Sequence, residues 1–111
     1  MIGVIFQFGG EVIEVRINGH NILFKSTTYG SQYAAIENLY LSKEGVIKEH
    51  PDLKGNDLWR EEAIKRFKEE VKSKGNERKI AEYIIQDLSK HGYIPKYKQE
   101  SGKRVEVLNG N

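Results

Sequence analysis

Between residues 2 and 27 the chain alternates between apolar and polar positions. Val4, Phe6 and Phe8 are separated by Ile5 and Gln7. Further on, Ile13, Val15 and Ile17 fall on one side of a two-residue repeat, with Glu14 and Arg16 on the other. A period of two belongs to an extended strand, because successive side chains leave opposite faces. Gly9-Gly10 and Asn18-Gly19 interrupt the alternation. Both pairs tolerate the positive φ of tight hairpins, and Asn-Gly favours a type I′ turn. With residues 21–27 as a third run, the pattern predicts a three-stranded antiparallel meander. One face packs and the other stays partly wet. These glycines lead into strands, so they do not form a phosphate loop, which must open a helix.

From residue 32 the period changes. Tyr33, Ile36 and Tyr40, with Ala35 and Leu39, fit one apolar face of a helix over about residues 32–41. Two readings fit the next stretch: the helix continues to Glu44 with Gly45 as its C-cap, or two short strands flank residues 42–45. Pro51 turns His50 away from helix, and residues 52–57 read as a loop. Asn56 or Asp57 then caps a helix whose stripe is Trp59, Ala63, Ile64, Phe67 and Val71, with Glu61 and Glu62 in its first turn. Lys72, Lys74 and Gly75 close it, and Asn76 caps the next helix, with Ile80, Ala81, Ile84, Ile85 and Leu88 as its stripe and Tyr83 at the edge. Gly92 stops that helix. Two extended runs follow, residues 93–98 and 104–108, joined by a turn. The pattern leaves open whether this hairpin joins the sheet or projects from it. The expected fold class is α+β in a single domain over residues 1–111: a meander at 2–27, a helical part at 31–91 with two to three helices packed on one face, and a C-terminal β-hairpin at 93–108.

Composition narrows the setting. The 111 residues carry no cysteine, so no disulfide is available and a reducing compartment is expected. No apolar run approaches the roughly 20 residues of a membrane span, and the first residues lack a basic leader. The expectation is a soluble, cytoplasmic protein with no membrane partner. The abundance of Lys and Glu resembles the composition of hyperthermophile proteins.

The net charge of +2 says little about partners, but its distribution says more. Before Ser42 the only charges are Glu11, Glu14, Arg16, Lys25 and Glu37; the rest interleave along the helices and the C-terminal segment. Pairs such as Glu61–Lys65, Glu62–Arg66 and Glu70–Lys74 have the favourable i,i+4 order and describe a self-neutralised solvent face.

Candidate chemistry is sparse. His20, His50 and His91 are far apart and none has a second ligand at helical spacing, so no metal or other cofactor is expected. Cysteine and a nucleophile elbow are both missing, and Ser26, Thr27 and Thr28 border a turn, so no catalytic residue is assigned. A metal-dependent nuclease would need Glu11, Glu14 and Lys25 on neighbouring strands around one ion. Glu11 and Glu14 differ by three, so a regular strand puts them on opposite faces unless a bulge near Gly9-Gly10 intervenes. That reading ranks third.

The C-terminal hairpin is less neutralised. Lys90, Lys96, Lys98, Lys103 and Arg104 face only Glu100 and Glu106, with Tyr93 and Tyr97 interleaved. Regular alternation puts Lys96 and Lys98 on one strand face and Tyr93 and Tyr97 on the other. Residues 88–98 with 102–108 resemble the end of a recognition helix followed by the wing of winged-helix regulators. Glu77 and Glu82 in that helix, and the strand-rich lead-in, depart from that pattern. A structural hairpin whose lysines guard a sheet edge has the same sequence.

The first functional expectation is therefore a small non-enzymatic nucleic-acid-binding or accessory protein. It would neutralise DNA or RNA phosphates with Arg78, Lys79, Lys90, Lys96, Lys98, Lys103 and Arg104. The second is a structural or interaction module, with self-association through Tyr29, Tyr33 and Tyr40, since tyrosines commonly anchor interfaces.

Overall fold

The computed structural model describes residues 1–28, 32–40, 42–100 and 102–106, and of residues 40 and 104–106 the backbone alone. Its strands are β1 (Ile2–Phe8), β2 (Glu11–Asn18), β3 (Asn21–Ser26), the two-residue β4 (Ala34–Ala35), β5 (Ile94–Glu100) and β6 (Lys103–Glu106). They form one antiparallel sheet in the order β4-β3-β2-β1-β5-β6. The helices are α1 (Lys43–Glu49), α2 (Trp59–Ser73) and α3 (Glu77–Lys90). None of them is long and apolar enough to cross a membrane.

The expected meander is present, and its alternation builds the core. Ile2, Val4 and Phe6 of β1, Ile13, Val15 and Ile17 of β2, and Ile22 and Phe24 of β3 are buried together. Against them lie Ile80, Ala81, Ile84 and Leu88 of α3, with Phe67 and Val71 of α2. A smaller core joins Val46, Leu53 and Ala63 beneath Trp59. The helical side chains thus cover one face of the sheet.

The turns differ by one step from expectation at the second hairpin. Asn18 pairs with Asn21, so the loop is Gly19-His20 and not Asn18-Gly19. Gly19, at φ 62°, supplies the positive φ from the first loop position.

The helix expected over residues 32–41 does not form. Ala34 and Ala35 pair with Phe24 and Leu23, and a 3-10 turn, Ile36–Tyr40, follows. A helix would put Tyr33 and Ile36 on one face, since they are three apart. Here Tyr33 lies against Glu14, Arg16 and Lys25, while Ile36 is buried in the core on the other side of the sheet. The chain must therefore cross the sheet edge between them, and an extended pair does this.

Neither expectation for the next stretch holds. The Ser42 hydroxyl accepts the Gly45 N–H at 3.4 Å, and α1 runs through Gly45 to Glu49. Gly45 sits in a first turn and caps nothing. His50 leaves the helix before Pro51, as expected. Ahead of α2, Asn56 accepts the Leu58 N–H at 2.8 Å, while Leu58 itself occupies the cap position.

Two helix ends follow the sequence closely. The Asn76 side chain accepts the Lys79 N–H at 2.9 Å and starts α3. At its end Gly92, at φ 90°, lets the Tyr93 N–H reach the Leu88 carbonyl and its own N–H reach Ser89. This is the Schellman arrangement, and it directs the chain back toward β1.

Two outcomes are expected. Phe6→Ala, at a fully buried site on the central strand, should destabilise the fold by about 3–5 kcal/mol in denaturant titrations. Gly45→Ala should stabilise it by about 0.5–1 kcal/mol. A Cβ there meets only ordinary contacts, the nearest being the His91 ring at 3.7 Å.

Candidate functional site

The hairpin of β5 and β6 does not stand free as a wing. β5 pairs along β1, and the Gly102 turn (φ 81°) folds β6 onto its outer edge. The wing-like likeness ends at the level of the backbone ladder.

The ladder contains one irregularity that decides where the lysines go. Ile5 faces Tyr97, but Phe6 faces Pro95, so Lys96 is the extra residue of a bulge. Pro95 is buried on the helix side with Phe6. Tyr97 joins Ile5 on the helix-free face, and Lys98 and Glu100 lie opposite the inward Val4 and Ile2. The regular alternation expected for Lys96 and Lys98 on one face, with Tyr93 and Tyr97 on the other, is therefore incorrect. Tyr93 instead packs at the core margin, stacked on Phe8 at 4.3 Å and edge-on to Phe6 at 6.4 Å.

Glu100 gathers two of the expected phosphate contacts. The Arg78 guanidinium donates to it at 2.6 Å, and the Lys98 ammonium lies 3.7 Å away. The hydrogen bond from Arg78 holds the Glu100 carboxyl below its usual range, and the same bond raises Arg78.

The remaining cations do not converge. Lys79 is one residue past Arg78, which turns it by about 100° around α3. It shares the flank of Tyr83, whose ring packs near Phe67 of α2 at 6.1 Å. Lys90 lines a cavity on that same side with Tyr83, Phe67 and His50. Lys96 and Lys103 are exposed on the hairpin, and neither has a carboxylate within 4.0 Å among the described residues. The Arg104 backbone pairs opposite Gln99, and its side chain lies outside the described residues. Seven candidates thus divide into a salt-bridged pair, two on the α2 flank, two exposed on the hairpin, and Arg104.

The helix-free face itself is chemically mixed. In register across β5, β1, β2 and β3 lie Tyr97, Ile5, Glu14 and Lys25; the next row is Gln99, Gly3, Arg16 and Leu23. Tyr33 lies over this face, with its ring 4.5 Å from the Arg16 guanidinium and 5.5 Å from the Lys25 ammonium. Its hydroxyl donates to Glu14, and Arg16 approaches the same carboxylate at 3.8 Å. Burial, with the bonded Glu14, pushes the Tyr33 hydroxyl above its usual range, so it stays a donor. Of the three tyrosines expected at an interface, Tyr33 is therefore a clamp within the chain. Tyr29 and the Tyr40 side chain lie outside the described residues.

No sequence pattern groups Arg16, Lys25 and Tyr33. The strand parity of Arg16 and Lys25 was legible, but the arrival of Tyr33 over them depends on the path around the sheet edge. The acids named for a nuclease are separated. Glu11 accepts the Ser26 hydroxyl at 2.5 Å, beside the core-facing Ser26, while Glu14 belongs to the opposite face. Phe8 pairs Glu11 without a register break, so no bulge unites them.

No family model, no curated protein and no solved structure matches this chain. The surface chemistry alone carries the functional reading.

A pH dependence follows from two acids. The Gly19 N–H, donating at 2.7 Å, depresses Glu77, as Arg78 depresses Glu100. A carboxylate whose folded value is depressed contributes stability that is present above its unfolded value and lost as pH falls through the folded one. Thermal midpoints should therefore drop as pH falls below the ordinary value of 4.5. Glu77→Gln and Glu100→Gln should each flatten that slope, and equal slopes in wild type and both variants would exclude these contacts as the cause.

Proposed function

We propose that this is a non-enzymatic nucleic-acid-binding or accessory protein, and that its contact surface is the C-terminal hairpin with the helix-free sheet face beside it. One observation supports the reading above others. The bulge at Lys96 and the edge position of Lys103 leave two exposed ammonium groups with no carboxylate partner among the described residues. Lys103 leaves the outer edge on the side of Glu100, its cross-strand partner, while the helix-free face beside the hairpin carries Arg16 and Lys25, where Glu14 is the one acid among the described side chains and is already met by Arg16 and Tyr33. Phosphates would be positioned by these cations. Bases would lie against an open sheet, as on other strand-built platforms.

Fluorescence anisotropy with labelled single-stranded and duplex oligonucleotides tests the reading. Affinity should fall steeply with salt. Lys96→Glu with Lys103→Glu should weaken binding and reduce the log–log salt slope by about 1.4–1.8, the value for two lost phosphate contacts. Glu100→Gln, which releases Arg78 and Lys98, should strengthen binding. No binding at low salt to either form would end the proposal.

A second reading, protein contact through the same face, rests on its exposed apolar side chains. Val12 is 50% exposed, Ile94 44% and Leu23 40%. Patches of this kind commonly mark interaction sites. The occupant would be a second copy of the chain. Concentration-dependent mass in light scattering, abolished by Val12→Asp with Ile94→Asp, would favour it over nucleic acid.

A further inference from the structure

The corner between α1, α2 and α3 holds a cavity of about 400 Å³, away from the hairpin surface. Val46, Ala63 and Phe67 form its apolar wall. Asp87 also lines it. This residue belongs to the inward stripe of α3, three residues beyond Ile84 and just before Leu88, and only 6% of it is exposed. Among the described residues its carboxylate receives no hydrogen bond and no ion pair within 4.0 Å. A buried carboxylate in that condition is costly unless a donor comes to it.

The donors that line the cavity, the Tyr83 hydroxyl among them, are engaged elsewhere or lie beyond hydrogen-bond distance of this carboxylate. His91 approaches the main-chain carbonyl of Asp87 through Nδ1, at 2.8 Å, and not its carboxylate. Arg66 is held by Asp52 at 2.6 Å and by Glu62 at 3.5 Å. Lys90 is exposed and lies beyond ion-pair distance. Glu49 and Glu70 add negative charge around the cavity, with Glu70 paired to Lys74 at 3.4 Å. Burial, with the nearby Asp87 carboxylate, pushes the Tyr83 hydroxyl well above its usual range. No three His, Asp or Glu side chains among the described residues are placed to hold a metal ion. An acidic, partly apolar recess of this kind matches a small organic cation.

We propose that the cavity binds an alkylammonium group, whose ammonium donates to the Asp87 carboxylate while its aliphatic part lies against Val46, Ala63 and Phe67. The site is independent of the nucleic-acid reading.

The test is an NMR titration of the full chain with n-butylammonium chloride, following the ring resonances of His50 and His91, both at the cavity. Saturable shifts are expected, while n-butanol, which shares the tail but lacks the charge, should give none. Asp87→Asn keeps the side-chain volume and removes the charge, and should weaken binding about tenfold or more, the range of a hydrogen bond to a charged group. Lys90→Ala should leave binding intact. The proposal is overturned if butylammonium gives no saturable shift, if n-butanol gives the same shift, or if Asp87→Asn binds as tightly as wild type. It is overturned equally if Asp87→Asn and Lys90→Ala destabilise the free protein alike and the double variant no further, because Lys90 would then be the internal partner of that carboxylate.

Discussion

The burial of β1 is the constraint on which the other elements depend. Its inward residues, Ile2, Val4 and Phe6, sit beneath the α3 stripe, with β2 on one side and β5 on the other. Once those three face the helices, Gly3, Ile5 and Gln7 must face away, because the side-chain period of a strand is two. At Gly3 a Cβ on that outer side would make only ordinary contacts, 3.7 Å from the Glu14 carboxylate and 3.9 Å from Gln99. A one-residue slip would exchange the two faces and expose the core, so the registers of β2 and β5 are held by the same burial.

That constraint reaches the surface through the bulge. Without Lys96 as an extra residue, Tyr97 would have followed Pro95 into regular alternation toward the helix side. With it, Tyr97 lies opposite Ile5 on the open face, and Lys98 and Glu100 lie on the side of α3. Arg78 can then close on Glu100, which ties the first turn of α3 to the end of β5. The other end of the same turn is tied to the β2–β3 loop, where Glu77 accepts the Gly19 N–H. Ion pairs of this exposed kind contribute little each. They also leave Lys96 and Lys103 as hairpin lysines without a carboxylate partner among the described residues.

Much of this is legible in the sequence itself. The meander, both long helices, the Asn76 cap and the Gly92 stop all came from period, cap and turn chemistry, which act over a few residues. Two misreadings share a cause: each depended on which side of the sheet a segment meets. Tyr33 and Ile36 look like one helical face until the chain is seen to cross the edge between β3 and the 3-10 turn. Lys96 and Lys98 look like one strand face until the ladder is seen to skip a residue. Gly45 looks like a helix stop, yet Ser42 caps a helix that runs through it. Asp87 left a trace in sequence as an acid within an apolar stripe. Its burial in a cavity was not visible there, because two other helices supply the walls.

The central claim is that the hairpin and the open sheet face form one contact surface. A map of backbone amide shifts in the ¹⁵N-labelled protein, on adding a short single-stranded oligonucleotide, tests it most directly. The account predicts that the largest changes fall on residues 94–100 and Lys103, with Arg16 and Lys25 next. Changes concentrated at the α1–α2–α3 corner, or no change at all, would contradict it.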